Sequence, residues 1–272
     1  MNKNGRVKFW VTALICCCAA GAALPRISGA QSPDKKEILR QARRSYYQLR
    51  NEGLLEFQCG MAPNWDALVA EQRKTNPAGA DEAVRKLKQL QFGVSMGPDG
   101  SVKVTHNDVP AQNDAEAKAH SQIFAGMDQM ITGFYQTWYP FMLGPPFPEV
   151  ESDYQLEDLG AQYRLSYMEG TAAVVTSMGK DFAISELKVT TAEFTSSIRP
   201  QFTRTAKGFL INAYQADYVS QSAAEETHLR VRMSYQELNG LQLIQKLNLE
   251  GTYGGSPYQM EVAFTGCQAK RR

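Results

Sequence analysis

Leu229-Arg230-Val231-Arg232-Met233-Ser234-Tyr235-Gln236-Glu237-Leu238-Asn239-Gly240-Leu241-Gln242-Leu243 carries two signals that set the architecture. Leu229, Val231, Met233 and Tyr235 alternate with Arg230, Arg232, Ser234 and Gln236. Successive side chains on a strand point to opposite faces, so this segment reads as a strand with one buried and one wet face. Asn239-Gly240 between two alternating runs is a strong hairpin signal. The same alternation extends in both directions. Tyr163, Leu165 and Tyr167 interleave with Gln162, Arg164 and Ser166; Tyr258, Met260, Val262 and Phe264 interleave with Gln259, Glu261 and Ala263.

Strands are therefore predicted near 154–159, 161–168, 172–178, 181–190, 193–198, 201–205, 209–219, 227–238, 241–252 and 257–265. Their turns are marked by Gly160, Glu169-Gly170, Gly179-Lys180, Ala206-Lys207-Gly208 and Gly254-Gly255-Ser256. Short strands joined by turns make an antiparallel sheet with a single apolar face. Between Phe182 and Val189 the apolar parity slips, which predicts a bulge or bend. A long twisted meander that does not close wraps into a half-barrel. The expected fold is α+β: one curled antiparallel sheet, an open half-barrel, with helices packed on its concave face.

Upstream of the sheet the pattern becomes helical. Ser32-Pro33-Asp34 is helix-start chemistry, and Ile38, Leu39, Ala42, Tyr46 and Leu49 form a stripe, predicting a helix from Pro33 to Asn51. A strand around Phe57 follows, then helices over Trp65–Arg73 and Asp81–Leu90, separated by a break at Asn76-Pro77-Ala78-Gly79. A hairpin is expected from Phe92–Met96 and Val102–Thr105 around Pro98-Asp99-Gly100-Ser101. A further helix starts after Asn113, with Glu116 three residues on as a capping-box variant. Its face carries Ile123, Met127, Met130, Ile131, Phe134 and Trp138, widened by Phe124, Tyr135 and Phe141. The stiff loop Leu143-Gly144-Pro145-Pro146-Phe147-Pro148 follows. Two readings of this face stand side by side: a permanent lid on the core, with methionines filling gaps, or a surface that repacks when an apolar ligand enters.

Residues 1–30 read as a cleaved secretory signal. Lys3, Arg6 and Lys8 precede an apolar run from Phe9 to Leu24, and Ser28-Gly29-Ala30 supplies small residues at a cleavage position. The run is short of the roughly 20 residues that a membrane span requires. Ile15 precedes Cys16, and cysteines precede Cys17 and Cys18, so a lipid-attachment signal is not expected. Four of the 29 basic residues (Lys3, Arg6, Lys8, Arg26) lie in this segment, leaving 25 against 28 acidic ones. A near-neutral mature chain argues against nucleic acid as a partner. Of the five cysteines only Cys59 and Cys267 remain, which in an exported chain suggests one disulfide. Cys267 is out of phase with Phe264, a conflict that a bulge at Gly266 would remove. The alternative is two free thiols. Residues 31–272 are expected to form a single domain, monomeric and without a transmembrane anchor.

The order of helix, strand, helices and long meander resembles the periplasmic outer-membrane lipoprotein carrier superfamily. The segments that carry this resemblance are Thr205-Ala-Lys-Gly-Phe-Leu-Ile211 and Gly240-Leu-Gln-Leu-Ile-Gln-Lys-Leu-Asn-Leu249. The resemblance implies a periplasmic binding or carrier protein whose apolar cavity holds acyl chains of lipids or lipidated proteins. The alternative is an envelope interaction or sensing module of the same shape, docking another envelope protein without transporting a ligand. The candidate ligand-contacting residues are Met127, Met130, Ile131, Phe134, Trp138, Phe141 and Phe147. The chain departs from the family pattern in the size of the segment from Trp65 to Pro148, and no gating residue can be matched.

Motifs for chemistry are weak in the sequence. Gly93-Val94-Ser95-Met96-Gly97 has Gly-x-Ser-x-Gly spacing, but it falls in the expected hairpin strand Phe92–Met96 rather than on a strand-to-helix elbow. There is no His-Glu-x-x-His and no phosphate-cradling glycine loop. His106, His120 and His228 have no ligand spacing, so neither a metal nor another cofactor is expected. The pairs Glu149/Glu151 and Glu157/Asp158 are the only carboxylates that suggest acid–base work, and nothing in the pattern brings them together. The expectation is a binding protein rather than an enzyme.

Overall fold

The computed structural model describes residues 34–221, 226–253 and 256–272. The expected signal segment 1–30, the Ser32-Pro33 helix start and the Gly254-Gly255 turn lie outside the described residues. The first helix, α1 (Lys35–Arg44), is capped by Asp34, whose carboxylate accepts from the Lys36 amide at 3.0 Å. It ends well before the expected Asn51, because tertiary pairing takes over its backbone. Phe209 N donates to Ser45 O at 2.7 Å, Tyr47 N donates to Phe209 O at 3.0 Å, and Leu49 N donates to Met142 O at 2.7 Å. Tyr46 and Leu49 are buried as the helical stripe predicts, but from non-helical backbone, an isolated bridge at Tyr46 and a turn at Leu49. Gly208, at φ +114, makes this contact sterically feasible: a Cβ there would lie 2.7 Å from Ser45 O.

β1 (Leu54–Pro63) leads into α2 (Trp65–Leu68), α3 (Ala70–Thr75) and α4 (Pro77–Leu87). The expected break between two helices falls at Asn76, but it is confined to that residue, and Pro77-Ala78-Gly79 already belong to α4. The Asn76 side chain accepts from Gly79 N at 3.0 Å and proline occupies the first turn, where its missing N–H costs nothing. β2 (Phe92–Met96) and β3 (Val102–His106) form the expected hairpin. α5 (Asp114–Met142) is capped by Asn113, which accepts from Glu116 N at 2.9 Å. Glu116 accepts in return from Gln112 N at 2.7 Å, so the reciprocal cap closes one residue earlier than in a standard capping box.

The meander follows as β4 (Tyr154–Asp158), β5 (Gln162–Glu169), β6 (Ala172–Gly179), β7 (Ile184–Thr190), β8 (Phe194–Thr205), β9 (Gly208–Ser220), β10 (Glu226–Leu238), β11 (Leu241–Tyr253) and β12 (Ser256–Arg271). All twelve strands belong to one antiparallel sheet in the order β3-β2-β1-β12-β11-β10-β9-β8-β7-β6-β5-β4. The edge strands β3 and β4 do not pair, so the sheet is not closed into a barrel. The two strands expected at 193–198 and 201–205 are the single strand β8, which passes Pro200 and absorbs a register shift between Gln201 and Phe202. The parity slip after Phe182 coincides with a register shift between Ser177 and Met178 and with Phe182 at φ +69. Asn239 (φ +53) and Gly240 (φ +78) both adopt the left-handed conformation that a tight hairpin turn requires.

Cys59 and Cys267 form a disulfide across β1 and β12, with sulfurs 2.08 Å apart. The register passes from Gln58↔Gln268 to Gly60↔Thr265, so β12 holds one extra residue there, and Gly266 sits at φ +58. That bulge turns Cys267 to the side of Cys59 and resolves the conflict with Phe264. Among the described residues, no helix is long and apolar enough to cross a membrane.

Candidate functional site: a groove between α5 and the sheet

α5 is two-faced. Ile131, Tyr135, Trp138, Phe141 and Met142 are fully buried. Tyr135 meets the rings of Phe57 and Phe264, and Phe141 meets Phe202. Trp138 Nε1 donates to the Tyr235 hydroxyl at 3.2 Å, which in turn donates to Ile211 O at 2.5 Å. This face anchors the helix to β1, β12, β8, β9 and β10. The adjacent face behaves differently. Ile123, Gly126, Met130, Gly133, Thr137 and Pro140 recur at alternating intervals of three and four, so they form one stripe along the helix. That stripe borders a groove of about 810 Å³.

The far side of the groove is the sheet. β7, β8 and β9 contribute Leu187, Val189, Phe194, Ser196, Ile198 and Tyr218. β10, β11 and β12 contribute Thr227, Leu229, Leu249, Tyr258 and Met260, and α2 adds Trp65 and Leu68 at one end. The strand register explains the depth of the floor. Leu187, Ile198, Ala216, Leu229, Gly251 and Tyr258 are consecutive cross-strand partners on one face. Ala216 is a small side chain in the middle of that row, and Tyr258 covers Gly251. A Cβ on Gly251 would meet His228 O at 2.4 Å and the Tyr258 hydroxyl at 3.1 Å, so the tyrosine lies over the glycine and the position admits nothing larger.

The helix side is kept low by Gly126 and Gly133. Both are helical, and a Cβ built on either meets nothing within 4 Å. No packing or backbone constraint calls for glycine at these two positions, although each destabilises the helix by about 1 kcal/mol relative to alanine. Bulky side chains here would occupy the groove.

Every described residue that lines the groove is uncharged. Its polar groups are neutral: Gln129, Gln136, Thr137, Ser196, Tyr218, Thr227 and Tyr258. Thr137 Oγ1 and the Tyr218 hydroxyl lie 3.2 Å apart. Burial pushes the Tyr218 and Tyr258 phenols above their ordinary range, so both hold their protons at any physiological pH. Leu68 (46% exposed) and Phe194 (38% exposed) give the groove an apolar rim.

Of the residues singled out from the sequence, Met127, Met130 and Phe134 line the groove. Ile131, Trp138 and Phe141 lie on the anchoring face of the helix. Phe147 packs against the Tyr46 ring, and its carbonyl accepts from Arg43 at 2.9 Å. The hydrophobic stripe found the helix and part of its groove side, but did not separate Ile123, Met127, Met130 and Phe134 from the anchoring residues Ile131 and Trp138. A subtler signal was present: Gly126, Gly133, Thr137 and Pro140 are weak helix formers aligned on one stripe of a 29-residue helix. Two of the three histidines share one aromatic neighbour and the third lies on the outer face of the sheet. His106 stacks on Phe124 at 3.7 Å, His120 lies near the same ring, and His228 Nδ1 is 2.8 Å from Asp217. Among the described residues no cluster of His, Cys, Asp and Glu is arranged to hold a metal. No protein-family model, curated protein or solved structure matches this chain.

Proposed function

We propose that this chain is an exported, periplasmic binding or carrier protein for acyl chains of lipids or lipidated proteins. In this reading the open sheet is a half-barrel whose concave side is covered by α5, and the tail lies between the two. The observation that carries it is the uncharged groove of about 810 Å³, kept open by two helical glycines that no local contact requires. Its volume falls within the ~300–1,000 Å³ that small-molecule sites occupy. A tail burying about 14 methylenes at ~0.8 kcal/mol each would gain about 11 kcal/mol relative to water. Part of that gain is lost in immobilising the ligand.

The test is native mass spectrometry of the purified protein, with lipid extraction and displacement of a polarity-sensitive hydrocarbon dye. Co-purifying lipid that leaves on extraction, and dye uptake that long-chain lipids reverse, support the proposal. A protein that binds no dye and no tail, yet captures a second envelope protein, overturns it in favour of an interaction module.

A further inference from the structure

The polar atoms of the groove are arranged rather than scattered. Ser196, Tyr218 and Thr227 are direct cross-strand partners on β8, β9 and β10, so three hydroxyl side chains stand in one row. Directly opposite partners are about 5 Å apart at Cβ. Thr137 reaches this row from α5, with Oγ1 3.2 Å from the Tyr218 hydroxyl and 3.2 Å from Gly133 O. Threonine has one proton to donate. When it goes to the Tyr218 oxygen instead of the Gly133 carbonyl, the Tyr218 proton is available to another acceptor. Four residues earlier on the same face of β9, the fully buried Tyr214 phenol also lies beside Thr137.

Charged side chains of the same strands point the other way. Asp217 and Arg199 pair with each other on the outer face, His228 joins Asp217, and Arg230 and Arg232 both meet Glu250. Strand alternation therefore separates a charged outer ladder from a neutral hydroxyl row within the groove. No described cation lines the groove to balance an anionic headgroup, and an ionised carboxylate buried without a partner is strongly disfavoured.

Building on the acyl-binding reading, we infer that the groove selects an acyl chain attached through a neutral carbonyl, an ester or an amide, hydrogen-bonded at Thr137 and Tyr218. An ionised fatty acid is rejected. The ester arises in glycerolipids and the amide in N-acylated proteins, and the two share this recognition chemistry.

The experiment uses the mature protein and displacement of the hydrocarbon dye diphenylhexatriene by four probes: 1-monoolein, N-methyl oleamide, oleate and 1-octadecene. Each is run at pH 8 on the wild type and on the isosteric variants Thr137→Val and Tyr218→Phe. Monoolein, the amide or both should displace dye at concentrations more than about tenfold below oleate. Either variant should weaken the ester and amide about fivefold, the size of one hydrogen bond, and leave octadecene unchanged. Oleate binding as well as monoolein, or variants that leave the ester and amide unaffected, overturns the inference while the acyl groove stands. A protein that takes up neither dye nor any probe overturns both.

Discussion

Replacing Gly126 and Gly133 together by leucine separates what the helix needs from what the groove needs. Both glycines are helical, and an added Cβ meets nothing within 4 Å, so the substitution creates no clash. Leucine exceeds glycine in helix propensity by nearly 1 kcal/mol per position, so the double variant should be more stable by about 1.5–2 kcal/mol. For a domain of this size that raises Tm by several degrees. Each leucine side chain brings four carbon atoms into space that a tail would use, displacing about three to four methylenes. At ~0.8 kcal/mol per methylene, the loss is about 3 kcal/mol per substitution, roughly two orders of magnitude in Kd. Thermal unfolding followed by circular dichroism gives the first quantity, and titration with a fluorescent acyl probe gives the second. Stability and affinity should move in opposite directions. Undiminished affinity in a stabilised variant would show that the tail does not lie along α5, and a lowered Tm would show that the glycines serve the fold.

Three further outcomes are expected. Met130→Asp places a charge in the groove from a partly exposed position, so it should block acyl uptake in a folded protein, whereas Trp138→Ala, in the anchoring face, should cost about 3–5 kcal/mol in urea unfolding; loss of uptake without loss of stability in the tryptophan variant would contradict this division. Removing the disulfide by Cys59→Ser with Cys267→Ser should lower stability by about 2–4 kcal/mol, read as a smaller urea midpoint, and an unchanged midpoint would show that β1–β12 pairing alone holds these two strands together. The Asp217 carboxylate, hydrogen-bonded to His228, raises the imidazole above its ordinary range, so its contribution to stability is complete below the unfolded value of about 6.5 and fades as pH rises through the folded value. An NMR titration should show the raised value in the wild type and a lower one in Asp217→Asn, and a wild-type imidazole titrating at or below its ordinary value would refute it.

The sheet was legible because strand alternation, turn glycines and the Asn239-Gly240 hairpin are local signals, set by two faces of a pleated backbone. The Cys59–Cys267 pairing was suggested by the two cysteines left outside residues 1–30, and parity along β12, which stood against it, pointed to the bulge at Gly266 that it needs. Local signals were less dependable wherever a distant segment competed for the backbone. Tyr46 and Leu49 fit a helical stripe, yet the helix ends at Arg44, because Phe209 and Met142 supply the hydrogen bonds that the next turn would have made. In α5, the apolar residues identify a helix that must be buried but leave open which neighbour each side meets. Only the placement of the helix against β7–β12 makes Trp138 an anchor and Gly133 a rim of open space. Residue type and periodicity fixed which surfaces avoid water. The groove exists because two surfaces from distant parts of the chain fail to fill the volume between them, and that is a property of their packing rather than of either segment.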